Sequence, residues 1–240
     1  MNTIKLNAEM KPLMVAHRGC SGLERENTNA AFVAAGNRSY WGIESDVHKT
    51  VDGKYVIIHD DSPARVCGQD MVVEETDMQT LRSLRLWDMD GETVRGDLVL
   101  PTLEEYIRLC KRYDKIAVLE LKNLMSEEHI CGIMETVKGL DYTDRMIVIS
   151  FKRDNLICLR KHYPDQAIQY LVATWKEEYL DVLKEYRFGL DMHHSVITPE
   201  IVRQVHEAGL EVNCWTVDKL EDAERVIACG VDYITTNILE

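Results

Sequence analysis

The chain has 240 residues, 45% of them hydrophobic, enough for one core the size of a single α/β barrel and too apolar for disorder. Its 41 acidic residues outnumber 28 basic ones, and a net charge of -13 argues against a nucleic-acid backbone or an anionic membrane surface as partner. Seven dispersed cysteines without a C-x-x-C pair, a polar start from Met1 to Lys11 and no apolar run of spanning length predict a cytoplasmic protein with reduced thiols and no stable membrane insertion.

In chain order, short apolar runs alternate with longer segments of helical period. Strands are predicted at Leu13 to His17, Gly42 to Val47, Lys115 to Lys122, Met146 to Phe151, Ala167 to Leu171, Phe188 to Met192, Leu210 to Trp215 and Val231 to Thr236. An extra strand, Tyr55 to His59, follows the second. Between them, Thr102 to Glu105 forms a capping-box pattern, Thr198-Pro199 sets a cap before a first-turn proline, and Asp218 with Glu221 repeats the box. Gly209 and Gly230 stand where a left-handed residue would end a helix. Eight strand-helix units on a chain of this length predict a TIM (β/α)8 barrel rather than an open sheet. The turn-rich stretch at about 61–100, around one amphipathic segment from Met78 to Leu86, reads as a small insertion after the second strand, too short for its own core, within a single domain spanning 1–240.

Charge stands at the ends of several strands, where an apolar run gains nothing from a carboxylate unless a ligand offsets its desolvation. Residues i and i+2 of a strand share a face, so Glu44 with Asp46, and Glu120 with Lys122, project together while Ser45 and Leu121 face away. Three carboxylates converging at the carboxyl face of a barrel suit Mg²⁺ or Ca²⁺. His17 and His59 each close an apolar run and titrate near neutrality, which fits a pair dividing general-base and general-acid work. Arg18 and Lys122 add positive charge for an anionic substrate, although a salt bridge to a neighbouring acid explains Lys122 equally well. Gly19 and Gly22 flank a loop where backbone would approach a ligand, and Trp215 is either core or pocket wall. His48 is expected at the rim, His193-His194 near the open face, and His129, His162 and His206 on solvated helix faces.

These residues also carry a resemblance. His17-Arg18-Gly19-Cys20-Ser21-Gly22, Glu26-Asn27-Thr28, Glu44-Ser45-Asp46-Val47, Asp52-Gly53, His59-Asp60-Asp61, Pro101 to Glu105, Glu120-Leu121-Lys122, Trp215-Thr216-Val217 and Gly230-Val231-Asp232 resemble, in order and spacing, the glycerophosphodiester phosphodiesterase family. That resemblance implies a TIM-barrel hydrolase cleaving a small-molecule glycerophosphodiester to glycerol 3-phosphate and an alcohol with a divalent metal, Mg²⁺ or Ca²⁺. By the same resemblance Glu44, Asp46 and Glu120 are the metal ligands and His17 and His59 the acid-base pair. Arg18 and Lys122 hold phosphate oxygens, and Trp215 lines the glycerol or leaving-group side. Arg25 departs from the proline usual before Glu-Asn-Thr, and is expected to add a charge near the entrance.

Two other readings of the same residues stand beside it. Lys122 as a Schiff-base lysine of an aldolase-like lyase leaves the carboxylates and histidines without a joint task. A barrel that binds a phosphodiester without cleaving it would lack one of the histidines or carboxylates, and none is missing.

Overall fold

The computed structural model describes residues 2–7 and 11–240. Strands β1 (Leu13–Ala16), β2 (Gly42–Lys49), β4 (Ile116–Leu121), β5 (Met146–Ser150), β6 (Ala167–Val172), β7 (Gly189–His193), β8 (Val212–Trp215) and β9 (Tyr233–Thr236) pair in parallel from neighbour to neighbour. Pairing of β1 with both β9 and β2 closes the ring, so the barrel expected from the repeated strand-helix units is present. The short β3 (Tyr55–Ile57) runs antiparallel on the far end of β2, with Val47 opposite Ile57. Parallel strands covered on both faces are apolar along their length, which is why the sequence marks them as continuous runs.

Helices follow the strands: α1 (Asn29–Gly36), α2 (Ala64–Cys67), α3 (Met78–Ser83), α4 (Leu103–Arg112), α5 (Glu127–Gly139), α6 (Arg153–His162), α7 (Glu177–Tyr186), α8 (Pro199–Glu207) and α9 (Leu220–Cys229). Thr102 and Glu105 form the reciprocal capping box of α4, and Thr198 caps α8 ahead of Pro199. Gly230 is left-handed at the end of α9, and Gly209, also left-handed, follows the α8 cap residue. Asp218 is not a cap. The residue at the start of α9 is Lys219, with no side-chain bond, and the Asp218 carboxylate is drawn instead to Thr236 and Asn237.

The main core lies between sheet and helices, with Phe32, Ile43, Tyr106, Ile107 and Leu119 fully buried. Each such side chain contributes about 1.5–3 kcal/mol by leaving water. A smaller apolar cluster of Val15, Val118, Ile147, Ile149 and Leu171 fills the barrel itself. The segment at about 61–100 is less dependent than expected. Its Val66, Val73, Met78, Leu81, Leu86 and Leu98 bury together against Val56 and Ile58, so it builds a core of its own by borrowing one face of β3. The amphipathic stretch is helical only to Ser83, because Leu84 turns extended and Leu86 pairs its backbone with Leu98. Arg25, expected to add a charge near the entrance, is buried and donates to the carbonyls of Trp87 (2.7 Å) and Asp88, pinning this segment to the loop after β1.

Candidate active site

The carboxyl ends of β1, β2 and β4 meet because their registers align: Asp46 lies opposite Glu120, and Ala16 opposite Ile43. Glu44, Asp46 and Glu120 are thereby brought close enough for single oxygens from all three to lie within 4.8 Å of one another, each residue buried. Glu44 and Glu120, together with His17, Arg18, His59, Asp191 and Trp215, line a cavity of about 60 Å³. A larger depression of about 570 Å³ at the amino ends of β6 to β8 holds none of these strand-end residues.

The loop after β1 is folded back on the strands. Arg18 is left-handed (φ 54°), which turns its backbone N–H onto Glu44 Oε2 at 2.8 Å. Gly19 follows at φ 76°, where a Cβ would lie 2.7 Å from the backbone of Ala31, and a Cβ on Gly22 would meet Asn237 and Ile238. Both glycines therefore permit the chain to pack closely on itself. The Arg18 guanidinium is held by Glu26 (2.8 Å) and sits 3.5 Å from Asp46. Glu26 in turn takes a two-pronged bond from Arg65, both distances 2.8 Å. Ser45, on the opposite face of β2, donates to Asn27, whose amide donates to Asp46 Oδ2 at 2.8 Å.

Lys122 bridges Glu120 (2.9 Å) and Asp46 (3.3 Å), so the salt bridge anticipated for it is formed. Burial works against its ammonium, but the two carboxylates outweigh that and raise its pKa above the ordinary lysine value. A Schiff-base lysine needs a free amine at neutral pH, and this environment opposes one. Burial and the Asp46 charge push Glu120 up to about 8, and the same two causes raise Glu44 well above the carboxylate range. Burial also opposes ionisation of Asp46, yet Lys122 and Arg18 hold its carboxyl below the usual range. Asp46 Oδ1 has the Lys122 ammonium as its one partner, at 3.3 Å. Three buried carboxylates form an all-oxygen donor set that fits a hard divalent cation. The other cluster of ligand-type residues among those described, Glu127, Cys158 and His162, lies on the helical rim, where Glu127 already pairs with His162 and Lys161.

The two histidines stand on different supports. His59 Nδ1 is 2.6 Å from Asp60 Oδ1, and Arg65 holds the other oxygen of Asp60 at 2.6 Å. His17 Nδ1 is 2.7 Å from Asn237 Oδ1. Burial lowers the pKa of both, His17 to about 4 with Arg18 adding to the effect. His48, expected at the rim, is fully buried and contacts the His59 carbonyl (3.3 Å) and Glu74 (3.4 Å), because β3 and the inserted segment cover the end of β2. Trp215 is half-buried pocket wall, edge-on to Phe151 and to His193. His193 bonds Ser195 and His194 approaches Arg225, neither near the three carboxylates' shared centre. Asp191, which strand patterning alone did not single out, is buried on β7 and lines the same cavity with Oδ1 unpartnered.

The family model for the "Glycerophosphoryl diester phosphodiesterase family" matches residues 17–240. A glycerophosphodiester phosphodiesterase of Caldanaerobacter subterraneus is 32% identical over 234 residues, 95% of each chain. Among solved structures, an Oleispira antarctica phosphodiesterase in complex with the product sn-glycerol-3-phosphate superimposes with a TM-score of 0.85 at 26% identity, covering 95% of this chain and 93% of that one. A glycerophosphodiester phosphodiesterase from Parabacteroides distasonis gives 0.76 at 26% identity, covering 99% and 94%.

Proposed function

The chain belongs to the glycerophosphoryl diester phosphodiesterase family and is a phosphoric diester hydrolase acting on glycerophosphodiesters, and from that premise we propose how its own residues perform the reaction. It works as one domain spanning 1–240 with its segment at about 61–100 inserted, in the cytoplasm, where its seven free thiols are at home. No helix among the described residues is long and apolar enough to cross a membrane. Glu44, Asp46 and Glu120 hold a divalent cation, Mg²⁺ or Ca²⁺. When bound, that cation neutralises charge building up on the phosphoryl oxygens.

The phosphodiester is a monoanion, and attack on it adds negative charge that Arg18 and Lys122 meet from fixed positions. His17, faced by a neutral amide, suits the general base that takes a proton from the attacking oxygen, whether of water or of the adjacent glycerol hydroxyl. His59, faced by the Asp60 carboxylate, better retains a proton and suits the acid that protonates the leaving alkoxide as the P–O bond breaks. Trp215 supplies the apolar side of the pocket against the carbon skeleton.

The observation that carries this reading is one cavity lined by two supported histidines, Glu44, Glu120 and Arg18, with Asp46 and Lys122 bound directly to those lining residues. The test is an assay of glycerophosphocholine, glycerophosphoethanolamine and glycerophosphoglycerol with Mg²⁺ or Ca²⁺, before and after chelation, on the wild type and on His17→Ala and His59→Ala. Glycerol 3-phosphate release should vanish reversibly on chelation and fall about 10²–10⁴-fold in each variant with the fold intact. Full activity in either variant would remove the acid-base assignment.

A further inference from the structure

Behind His17 lies a short polar array, none of whose residues lines the cavity. Asn237 follows β9 directly, and its side chain lies between His17 and Asp218: Oδ1 is 2.7 Å from His17 Nδ1 and 2.6 Å from the Ser21 hydroxyl, while Nδ2 donates to Asp218 Oδ2 at 2.6 Å. Asp218 is fixed in turn, its Oδ1 accepting from the Asn237 backbone N–H (2.8 Å) and from the Thr236 hydroxyl (3.1 Å).

The chemistry of these groups sets the direction of every bond. A backbone N–H only donates and a carboxylate only accepts, so the amide must turn its NH₂ to Asp218 and its carbonyl oxygen to the ring. A carbonyl oxygen accepts, and the ring nitrogen facing it must therefore carry the hydrogen. We infer that Asp218 and Asn237 are positioning residues for His17: they fix the Nδ1–H tautomer and so leave the unprotonated Nε2 as the atom offered to the reaction. This inference rests on the reading of His17 as a proton-transfer group. Once Nε2 takes a proton both ring nitrogens bear hydrogen, and the Nδ1–H bond to an amide polarised by the Asp218 carboxylate strengthens as that charge appears. His59 gets the same service from Asp60 directly, a neighbour in sequence, whereas His17 receives it from residues about 200 positions downstream through barrel closure.

Asp218→Asn puts the arrangement under strain without changing size. The backbone N–H of Asn237 cannot turn, so the new side chain keeps its oxygen there and points its NH₂ at the Asn237 amide. Two donors then face each other, the Asn237 amide flips, and its NH₂ meets His17 Nδ1, forcing the Nε2–H tautomer. Long-range ¹H–¹⁵N correlation spectra of the Mg²⁺-loaded protein at pH 8, with the His17 signals identified by their loss in His17→Gln, read this directly. The wild type should show Nδ1 protonated and Nε2 bare; Asp218→Asn should show the reverse, with kcat down about 10²–10⁴-fold and KM within threefold. A wild-type His17 protonated at Nε2 overturns the inference, and that measurement stands even if the variant does not fold. So does an Asp218→Asn protein with an unchanged tautomer and kcat within threefold of wild type. A reversed tautomer with undiminished kcat would uphold the array and instead remove His17 from the chemistry.

Discussion

Glu26 is one junction between the inserted segment and the loop after β1, and neutralising it has a calculable effect. Its carboxylate receives Arg18 Nη1 on Oε1 and both Arg65 amino groups, all at 2.8 Å. Burial alone would raise its pKa, but the Arg65 and Arg18 bonds outweigh burial and carry it from 4.5 down to about 2. The difference, 4.5 less about 2, at about 1.36 kcal/mol per pH unit, is about 3 kcal/mol in favour of the folded, ionised form. Arg65 is 47% exposed. Solvent screening of that half of the contact brings the expected value to about 2 kcal/mol. A folded-state pKa below the unfolded one contributes stability that is complete above 4.5 and is lost as pH falls toward 2. Glu26→Gln should therefore be less stable than wild type by about 2 kcal/mol at pH 7 in urea denaturation, and the gap should narrow steadily between pH 4.5 and 2. In assays at pH 7 the variant should show a raised KM, because Arg18 loses the partner that aims it. A gap that is absent at pH 7, or that stays constant down to pH 3, would refute the argument.

Two further outcomes follow from packing. Gly19→Ala should cost at least about 2 kcal/mol, since its φ of 76° is combined with a Cβ 2.7 Å from Ala31, whereas Gly53→Ala, at φ 71° with nothing within 4 Å, should cost about 1 kcal/mol; urea midpoints compare the two. Arg25→Met leaves the carbonyls of Trp87 and Asp88 without their donor, and should cost about 1–3 kcal/mol together with faster amide hydrogen exchange confined to the inserted segment.

The strands were legible because a parallel strand buried on both faces is written as an unbroken apolar run, and the carboxylates and histidines were legible because each interrupts such a run at its end. What escaped was pairing across the fold. Asp218 has the spacing of a helix cap to Glu221, and only the pairing of β8 with β9 reveals that its carboxylate is taken by Asn237. His48 follows Asp46 on the same face, and its burial depends on where β3 and the inserted segment lie. Arg25 reads in the sequence as a charge near the entrance, yet it carries the inserted segment, and Arg65, which the sequence pattern does not single out, carries Glu26 and Asp60. Such contacts join residues tens of positions apart, and periodicity is blind to them.

The charges at the barrel mouth argue for the cation more strongly than any one residue does. Glu26 and Asp60 share Arg65, and Glu44, Asp46, Glu120 and Asp191 stand against Arg18 and Lys122, so carboxylates outnumber cations by three. Left so, a fully ionised site would be strongly negative and would repel a phosphodiester monoanion; a dication offsets two of those charges, and burial, which raises the pKa of Glu44, Glu120 and Asp191, acts in the same direction. The same count gives Lys122 a double task. Its ammonium neutralises Asp46 and Glu120 from a fixed place 2.9 Å from Glu120, and in the function proposed above the same charge also meets the substrate's phosphate. Replacing it with methionine should leave Glu44, Asp46 and Glu120 facing one arginine. The metal would then bind at least as tightly by titration calorimetry, while kcat/KM falls by about a hundredfold or more. Metal binding weakened in step with turnover would mean that Lys122 serves the ligands alone.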